Sequence, residues 1–459
     1  MIRLRDLIYA VGALVTAPVW VVGMWRAGKL RTDWRGRLGF GEALPNVERR
    51  RVLIYGVSVG EVAAARTLLA ELQRRGWEVV VAAMTDTGVT RARQIYAEGG
   101  GDVAVVRWPY DFSGAVRRLL RRVRPDVVVL MELEVWPNAL AVCAREGVPV
   151  VVANGRLSAR SFRGYRRARP LLRGSFALLA RVAAQTPAYA ERFVAMGVPA
   201  ERVSVLGSMK WDSAAVAEVE ALRPRAAALA ARLGLRSDRP VVVAGSTAPG
   251  EDAMLLDGWL GDAVHGRAAG VQLVLVPRKP EWFEAVVVEA GRRGVPVVRW
   301  SGVGEEDRTA EAVAPMSVEA PVVLVDTVGV LGDAYAVAAV AHADGVGGVA
   351  VVGRSFTGEL YGSDMVEPIG VGVPTVVGPH TRDFEAMVQA LAAGDALRVA
   401  EDPWAGAAAL LADRAEAARL LAAGRAVIRA QQGAAVRHAD LVEGLVGSGG
   451  PRLGLNHGP

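Results

Sequence analysis

Residues 52–61 read VLIYGVSVGE, and residues 241–251 read VVVAGSTAPGE. In both stretches an apolar, mostly β-branched run leads into small residues and then into a glutamate at the start of a helical pattern. Runs that are nearly continuous in apolar character are typical of parallel strands buried on both faces. Each stretch therefore predicts a buried strand, a tight turn and a helix.

The same alternation of apolar runs and helical patterns continues on both sides of an Ala- and Arg-rich helical segment at residues 214–240. It predicts an α/β protein with two doubly wound lobes in tandem. Ligands of open α/β sheets bind at the carboxyl ends of the strands, so the cleft between the lobes is the expected site. The predicted strands are residues 52–56, 78–84, 103–109, 127–132, 148–154, 180–185 and 203–207, then 241–245, 271–277, 295–300, 322–326, 349–353 and 374–378.

The composition excludes several classes of protein. Of 459 residues 52% are hydrophobic, which is enough for sizeable cores and excludes global disorder. One cysteine, Cys143, excludes internal disulfides and favours a cytosolic setting. The five histidines form no HExxH motif and no Asp-x-Asp pair occurs, so we expect no metal and no cofactor. The net charge of +6 comes without an arginine-rich tail, and we expect no nucleic-acid partner.

Residues 7–25 read LIYAVGALVTAPVWVVGMW and carry no charged side chain. This length is close to the ~20 residues that cross a bilayer. Basic residues follow the run, and the positive-inside rule then places the rest of the chain in the cytoplasm. We expect a membrane anchor or a monotopic insertion within residues 1–30. A cleaved signal peptide and a buried first helix are the alternatives.

Residues that could act in catalysis or ligand binding lie at the ends of several predicted strands. Glu61 completes a Ser58-x-x-Glu61 pattern, which is either a capping box or the setting of a general base. Glu132 and Glu134 directly follow a predicted strand, where charged groups indicate either a ligand cleft or an exposed loop start.

In the second lobe, the turn at Ser246 and Thr247 and the cations Arg278 and Lys279 form a candidate phosphate cradle, or an ordinary helix start. Glu367 stands one turn into a short helix, where it suits either ribose hydroxyls or the helix dipole. A basic cluster is either a solvated face or a contact for acceptor phosphates and lipid head groups. Its members are Arg156, Arg160, Arg163, Arg166, Arg167, Arg169 and Arg173.

Together these motifs make the chain resemble the 3-deoxy-D-manno-octulosonic acid (Kdo) transferases, which are membrane-associated GT-B glycosyltransferases acting on lipid A precursors. The resemblance extends from the N-terminal segment to about residue 390. It is carried by Ser58-Val59-Gly60-Glu61-Val62, Thr85-Asp86-Thr87-Gly88, Pro109-Tyr110-Asp111, Glu132-Leu133-Glu134-Val135-Trp136-Pro137-Asn138, Asn154-Gly155-Arg156-Leu157-Ser158, Ala184-Gln185, Gly207-Ser208-Met209-Lys210-Trp211-Asp212, Ala244-Gly245-Ser246-Thr247, Pro277-Arg278, Asp326-Thr327, Glu367-Pro368 and Gly378-Pro379-His380.

The resemblance implies an inverting, metal-independent transfer of Kdo from CMP-Kdo to a lipid A precursor at the cytoplasmic face of the inner membrane. Glu61 resembles the catalytic base. The lobe at residues 31–222 is then acceptor-binding, through Ser58, Gly60, Glu132, Glu134, Arg156 and Arg160. The lobe at residues 223–446, with closing helices from Trp404, is nucleotide-sugar-binding, and residues 447–459 are a disordered tail. Donor contacts are implied at Lys210, Ser246, Thr247, Arg278, Lys279, Ser363, Asp364 and Glu367.

The chain departs from the family pattern in the second lobe. A Gly-Gly-His-Asn run is replaced by Tyr361-Gly362-Ser363-Asp364, and the Pro-Arg-His, Asp-Thr-Met-Gly-Glu and Gly-Gly-Ser motifs are also altered. The changes favour two alternatives. One is a GT-B transferase that uses another nucleotide sugar, and the other is a non-catalytic, membrane-bound lipid- or nucleotide-binding relative.

Overall fold

The computed structural model describes residues 2–26, 32–56, 65–97, 103–213, 216–302, 321–358 and 360–447. The chain divides into two compact units, Met1–Ser213 with Gln431–Pro459 and Ala214–Ala430. Each unit contains a seven-stranded sheet in which every neighbouring pair of strands is parallel. The predicted α/β architecture with two doubly wound sheets is therefore confirmed.

The first unit has the strand order β3-β2-β1-β4-β5-β6-β7. Its strands are β1 Arg51–Gly56, β2 Glu78–Ala83, β3 Ala104–Arg107, β4 Val127–Met131, β5 Val150–Gly155, β6 Arg181–Ala184 and β7 Val203–Val205. Its helices are α1 Ile2–Arg26, α2 Trp34–Arg37, α3 Arg66–Arg74, α4 Asp86–Ala92, α5 Ser113–Val123, α6 Pro137–Arg145, α7 Ala159–Arg167, α8 Arg169–Phe176, α9 Pro187–Met196 and α10 Lys210–Ser213.

The second unit has the order β10-β11-β9-β8-β12-β13-β14. Its strands are β8 Val241–Thr247, β9 Gln272–Pro277, β10 Val297–Arg299, β11 Val322–Leu324, β12 Gly348–Val352, β13 Thr375–Val377 and β14 Arg398–Val399. Its helices are α11 Val219–Leu233, α12 Glu251–Gly261, α13 Phe283–Arg292, α14 Leu331–Ala343, α15 Val366–Val371, α16 Glu385–Ala393, α17 Pro403–Ala412 and α18 Arg414–Gln431, while a last helix, α19 Ala434–Val446, packs on the first unit.

Each sheet is buried on both faces, as the continuous apolar runs predict. Along β1, Leu53 and Tyr55 pack with helices α5 and α6, whereas Val52 and Ile54 pack with α3 and α19. The side chains alternate between these two cores because successive residues of a strand point to opposite faces. The second sheet is likewise covered on one face by α12, α17 and α18, and on the other by α11 and α14.

Two predicted boundaries were wrong. The units separate after Ser213 rather than at residue 222, because Leu222 and Leu229 of α11 both belong to the core of the second unit. Helix α19 belongs to the first unit although we expected residues up to 446 in the second. Its residues Ala439 and Val442 belong to a core of the first unit, and the helix contacts α3, β5 and β6. Of the predicted tail at 447–459, only Gly447 belongs to the described residues.

Hydrogen bonds to polar side chains attach α19 to the first unit. The carboxylate of Asp212 accepts hydrogen bonds from the backbone N–H of Gly433 at 2.6 Å and of Ala435 at 2.5 Å. Farther along the helix, Nε2 of His438 accepts the backbone N–H of Asn154 at 3.0 Å, and Nδ1 lies 2.7 Å from the carbonyl of Ala434. Burial lowers the pKa of His438 and favours this neutral ring. The first N–H groups of α19 thus find acceptors that the helix itself lacks.

Helix α1 contains the apolar segment Leu4–Arg26, which is long and apolar enough to cross a membrane. None of its apolar window is buried in the protein, so the alternative of a buried first helix was wrong. Side chains near its start contact the rest of the unit, and the ring centroid of Trp20 lies 6.4 Å from that of Trp34. The exposed apolar surface is weak evidence for association with a membrane.

We expect Asp212→Ala to lower the free energy of unfolding by about 1–2 kcal/mol, because two N–H groups at the start of α19 lose their acceptor. The measurement is urea denaturation in detergent. Asp440→Ala is the matched control, since Asp440 lies on the same helix in an exposed ion pair with Arg75 and should change stability by about 0.5 kcal/mol or less. Equal losses in the two variants would contradict the docking role of Asp212.

Candidate functional site

The predicted base Glu61 and its neighbours Ser58 and Gly60 lie outside the described residues. Strand β1, which precedes them, ends at Gly56 and pairs with β4, which ends at Met131. The chain that leads to Glu61 therefore begins beside the loop at residues 132–136. This is the edge of the sheet where ligands of parallel α/β folds bind.

The acceptor-side residues predicted after β4 and β5 are brought together. Glu132 has a left-handed backbone with φ +59°. Its backbone N–H donates to the carbonyl of Ala153 at 2.9 Å, and its backbone carbonyl accepts the N–H of Arg156 at 3.3 Å. The carboxylate of Glu134 accepts the indole N–H of Trp136 at 2.9 Å. Left-handed non-glycine residues are uncommon and concentrate at functional sites. The two strand ends thus form one polar edge.

Helix α7 adds positive charge near this edge. Burial raises the pKa of Tyr165 on α7, and the charge of Glu134 raises it further, so the helix and Glu134 lie close together. Ser158 caps the helix by accepting the N–H of Ser161 at 3.2 Å. Four exposed arginines follow on α7, namely Arg160, Arg163, Arg166 and Arg167. Arg160 therefore lies on an arginine-rich helix next to the other predicted acceptor residues.

Lys210 opens α10 in the first unit, whereas the other predicted donor residues belong to the second. The neighbouring Met209 donates its N–H to the side-chain oxygen of Asn154 at 3.1 Å. Gln185 also bonds to Asn154, through its amide and the Asn154 carbonyl at 2.9 Å. These motif residues hold the backbone between β5, β6 and α10.

In the second unit Glu251 organises two loops at the carboxyl ends of β8 and β12. It is fully buried, and its carboxylate accepts the N–H groups of Ala248 at 3.0 Å, Arg354 at 2.6 Å and Phe356 at 3.0 Å. Burial raises the pKa of Glu251, although the hydrogen bonds to its carboxylate act in the opposite direction. The N–H of Ala248, in the turn of the predicted phosphate cradle, is thus occupied by a side-chain carboxylate.

The same two loops approach each other very closely. A Cβ atom at Gly353 would lie 2.5 Å from Cα of Thr247 and 2.6 Å from the carbonyl oxygen of Ser246, so only glycine fits there. Ser246 has φ +58° and lies at a bulge in β8, which leaves its side chain half-exposed. Thr247 is fully buried beside Asp252. Of the predicted pair, only Ser246 is accessible to a ligand.

Glu367 is a half-buried carboxylate of this unit that takes no part in the hydrogen bonds of the two loops described above. Within the described residues it accepts no hydrogen bond, and its Oε1 would lie 3.5 Å from a Cβ atom at Gly332 of α14. Burial and Asp364 raise its pKa, while Arg225 and Arg278 lower it. The nearby Ser363 hydroxyl is buried and has no partner among the described residues. A carboxylate and a hydroxyl of this kind suit the hydroxyl groups of a ligand.

The predicted neighbours of Glu367 have different roles. Asp364 accepts the N–H of Val366 at 2.9 Å and so caps α15. Arg278 is exposed, and its guanidinium makes no hydrogen bond or ion pair with the described residues. The Lys279 ammonium forms an ion pair with Glu281 at 3.3 Å and lies 4.9 Å from the ring centre of Trp282, so it already has partners at the surface. Arg278 rather than Lys279 is therefore placed to meet an anion near Glu367.

Sequence reasoning missed Glu251, Arg225 and Tyr335 as parts of this site. Two acidic residues at the start of α12 were a usable signal for Glu251, since carboxylates are favoured at helix N-termini. Burial strongly raises the pKa of Tyr335, with further contributions from Glu367 and Asp364. No sequence pattern indicates that Tyr335 lies there. Within the described part of the chain, no three His, Cys, Asp or Glu side chains group as a metal site requires.

Comparison with known proteins identifies relatives along nearly the whole chain. The family profile described as 3-Deoxy-D-manno-octulosonic-acid transferase (kdotransferase) matches residues 32–213. The 3-deoxy-D-manno-octulosonic acid transferase of Bordetella pertussis is 35% identical over 453 residues, which are 96% of this chain and 99% of that protein. The corresponding transferase of Haemophilus influenzae is 27% identical over 408 residues, 85% of this chain and 86% of that protein.

Solved structures support the fold class. A glycosyltransferase from Rickettsia africae has a TM-score of 0.54 at 10% identity and covers 87% of this chain and 99% of its own. The Anabaena HepE protein in complex with UDP has a TM-score of 0.55 at 14% identity and covers 86% and 99%. At these identities the likeness concerns the fold alone, and the predicted GT-B fold is confirmed.

We expect Asp252→Asn to stabilise the protein at alkaline pH. Burial raises the pKa of Asp252 to about 7, while an unfolded Asp titrates near 3.9. The folded state then holds the extra proton between these values, so the native carboxyl loses stability as pH rises from about 4 to 7. The advantage of the variant in urea denaturation should grow over this range to about 1–3 kcal/mol at pH 8. Asp257→Asn, on the same helix but exposed and paired with Arg293, should show no such growth. An advantage independent of pH would contradict the titration of Asp252.

Proposed function

The chain belongs to the 3-deoxy-D-manno-octulosonic acid (Kdo) transferase family, and from this membership we propose that it moves Kdo from CMP-Kdo to a lipid A precursor. It is a glycosyltransferase that transfers Kdo in lipopolysaccharide biosynthesis, so the alternative of a non-catalytic relative is set aside. The observation that carries the proposal is 35% identity to one Kdo transferase over 96% of the chain. The donor, the acceptor and the chemistry are our proposals.

The proposed reaction is a single inverting displacement. The acceptor hydroxyl oxygen attacks the anomeric carbon of Kdo while its proton passes to the carboxylate of Glu61. The bond from that carbon to the phosphate oxygen of CMP breaks, and CMP leaves with the bonding electrons. A positioned base contributes about 10²–10⁴ to such a rate, and fixed positive charge stabilises the departing phosphate. No metal or cofactor takes part in this scheme.

The donor contacts that we propose are side chains of the second unit that take no part in the loop hydrogen bonds described above. Arg278 supplies a guanidinium with no partner among the described residues, and it is the cation best suited to the phosphate of CMP. Glu367 accepts hydrogen bonds from ribose hydroxyls, and Ser363 adds a buried hydroxyl beside it. Ser246 completes the set at the end of β8. We propose no direct contact for Thr247 or Lys279.

The acceptor contacts that we propose lie at the ends of β4 and β5. Glu132, Glu134 and Arg156 share one edge of the sheet, and Ser58 and Gly60 precede the base in the neighbouring connection. Arg160 and the other exposed arginines of α7 suit the phosphates of a bisphosphorylated lipid. Lys210 stays a proposed contact to the donor.

We propose that α1 holds the enzyme at the cytoplasmic face of the inner membrane. Its exposed apolar segment and the basic residues that follow support this location. Arg37, one of these basic residues, pairs with Asp86 at 3.3 Å and is half-buried, so it serves the fold rather than the lipid. Arg35 is exposed and remains available to anionic head groups.

A second donor remains a candidate because the run at residues 361–364 departs from the family pattern. Tyr361 lies under the guanidinium of Arg382, which is 3.3 Å from its ring centre, and Asp364 is used as a helix cap. Neither residue reproduces the His and Asn of the family. A panel of nucleotide sugars incubated with the same acceptor separates the two candidates, since only the true donor gives a product of the corresponding mass.

We expect Glu61→Gln to lower the transfer rate by about 10²–10⁴, because the acceptor hydroxyl loses its base. The measurement is mass spectrometry of the product from CMP-Kdo and a tetraacylated, bisphosphorylated lipid A precursor. CMP binding should stay unchanged. Glu191→Gln is the control, since Glu191 is an exposed glutamate of the same unit. Near-normal turnover of the Glu61→Gln enzyme would remove Glu61 as the base.

We expect Arg278→Ala and Glu367→Gln each to weaken CMP binding by about tenfold to a hundredfold, as the loss of a charged hydrogen bond implies. Isothermal titration with CMP measures this directly. Arg292→Ala is the matched control because Arg292 is exposed in the same unit and pairs only with Glu289 on its own helix among the described residues. If CMP binds all variants as tightly as the native protein, the donor site lies elsewhere.

A further inference from the structure

The first turns of helix α1 carry polar side chains that bond to the folded unit. The carboxylate of Asp6 accepts the backbone N–H of Ser113 at 2.9 Å and the side-chain amide of Asn138 at 3.0 Å, and it also bonds to the Ser113 hydroxyl. Tyr9 packs edge-on against Phe112 with ring centroids 6.3 Å apart. These contacts join an otherwise exposed helix to the start of α5 and α6.

Asn138 lies next to the loop that carries the proposed acceptor contacts Glu132 and Glu134. It is fully buried in the first turn of α6, directly after the loop at residues 132–136. Its amide also donates to the carbonyl of Asp111 at 2.8 Å, and the Asp111 carboxylate accepts the N–H groups of Asn138 at 3.0 Å and Ala139 at 2.7 Å. Asp6 is thus bonded to the cap that fixes the end of this loop.

A hydrogen bond within the loop joins Glu134 to the residue that directly precedes α6. Glu134 accepts the indole N–H of Trp136, and Trp136 directly precedes α6. Arg5 of α1 also donates to the carbonyl of Pro137 at 3.4 Å. Hydrogen bonds therefore join α1 to Pro137 and Asn138, and these residues directly follow Trp136, whose indole bonds to Glu134.

We propose that Asp6 is a positioning residue for acceptor recognition, which ties the apolar helix α1 to the loop of Glu134 and so sets this loop at a fixed place relative to the lipid surface. This inference rests on the proposed function. Attachment to the membrane does not require such bonds, because it depends on the exposed apolar surface of α1, to which a carboxylate contributes nothing. Anchoring and positioning are therefore separable by mutation.

The test is Asp6→Ala, Asn138→Ala and the double variant in the full-length enzyme, assayed in phospholipid vesicles that contain the tetraacylated, bisphosphorylated precursor. We expect the KM for the lipid acceptor to rise about tenfold in each single variant, the factor expected when a hydrogen bond to a charged group is lost. The KM for CMP-Kdo should stay within about twofold of the native value. The double variant should raise the acceptor KM by less than the product of the two single effects, because both single variants remove the bond between Asp6 and Asn138.

Thr16→Val is the matched control on α1, since the Thr16 hydroxyl is exposed and bonds to carbonyls of its own helix. Cosedimentation with vesicles should be the same in all variants. The thermal midpoint of Asp6→Ala should fall by no more than about 4 °C, because it loses one helix-start acceptor, whereas Asn138→Ala loses a buried amide and should fall further. The inference is overturned if the acceptor KM of Asp6→Ala stays within about twofold of the native value, if both KM values of this variant rise together, or if Asp6→Ala releases the enzyme from vesicles. Native enzyme that transfers nothing from CMP-Kdo would instead refute the proposed function.

Discussion

Backbone N–H groups at the starts of helices and in irregular loops need acceptors, because a buried amide without one costs as much as a lost hydrogen bond. In both units carboxylates from other parts of the chain meet this need. Asp111 serves the start of α6, Asp212 serves α19, and Glu251 serves the loop after β12. Asp6 does the same for α5 from the apolar helix. The loops that border the candidate site keep their shape only while these elements stay packed.

This requirement separates the polar residues of the second unit into two groups. Glu251, Asp364 and the buried Thr247 are committed to the backbone or to the interior. Glu367 and Ser363 are not, and burial already raises the pKa of Glu367. A half-buried carboxylate without hydrogen bonds is costly for the fold alone. This carboxylate is therefore the one that we propose for binding ligand hydroxyls.

The strands were predictable because buried parallel strands need runs of β-branched residues, and every predicted run contains a strand. Only β14 was missed, since two residues leave no pattern. The placement of α19 was not predictable, because the sheet on which an Ala-rich helix packs depends on Asp212, a residue far away in the sequence. Likewise, adjacent cations at 278 and 279 look alike in a sequence, and only the structure distinguishes the engaged lysine from the arginine that has no partner in the described part of the chain.

Several residues that carried the family resemblance bind backbone rather than face open space. Asp111, Asn138, Asn154 and Asp212 all belong to such networks, and losing one member leaves buried donors unpaired. The departures at residues 361–364 behave differently. There Gly362 still donates to the Arg354 carbonyl, and Asp364 still caps α15, so the loop is held although its exposed chemistry has changed. The backbone bonds of this loop thus do not depend on a His or an Asn at residues 363 and 364.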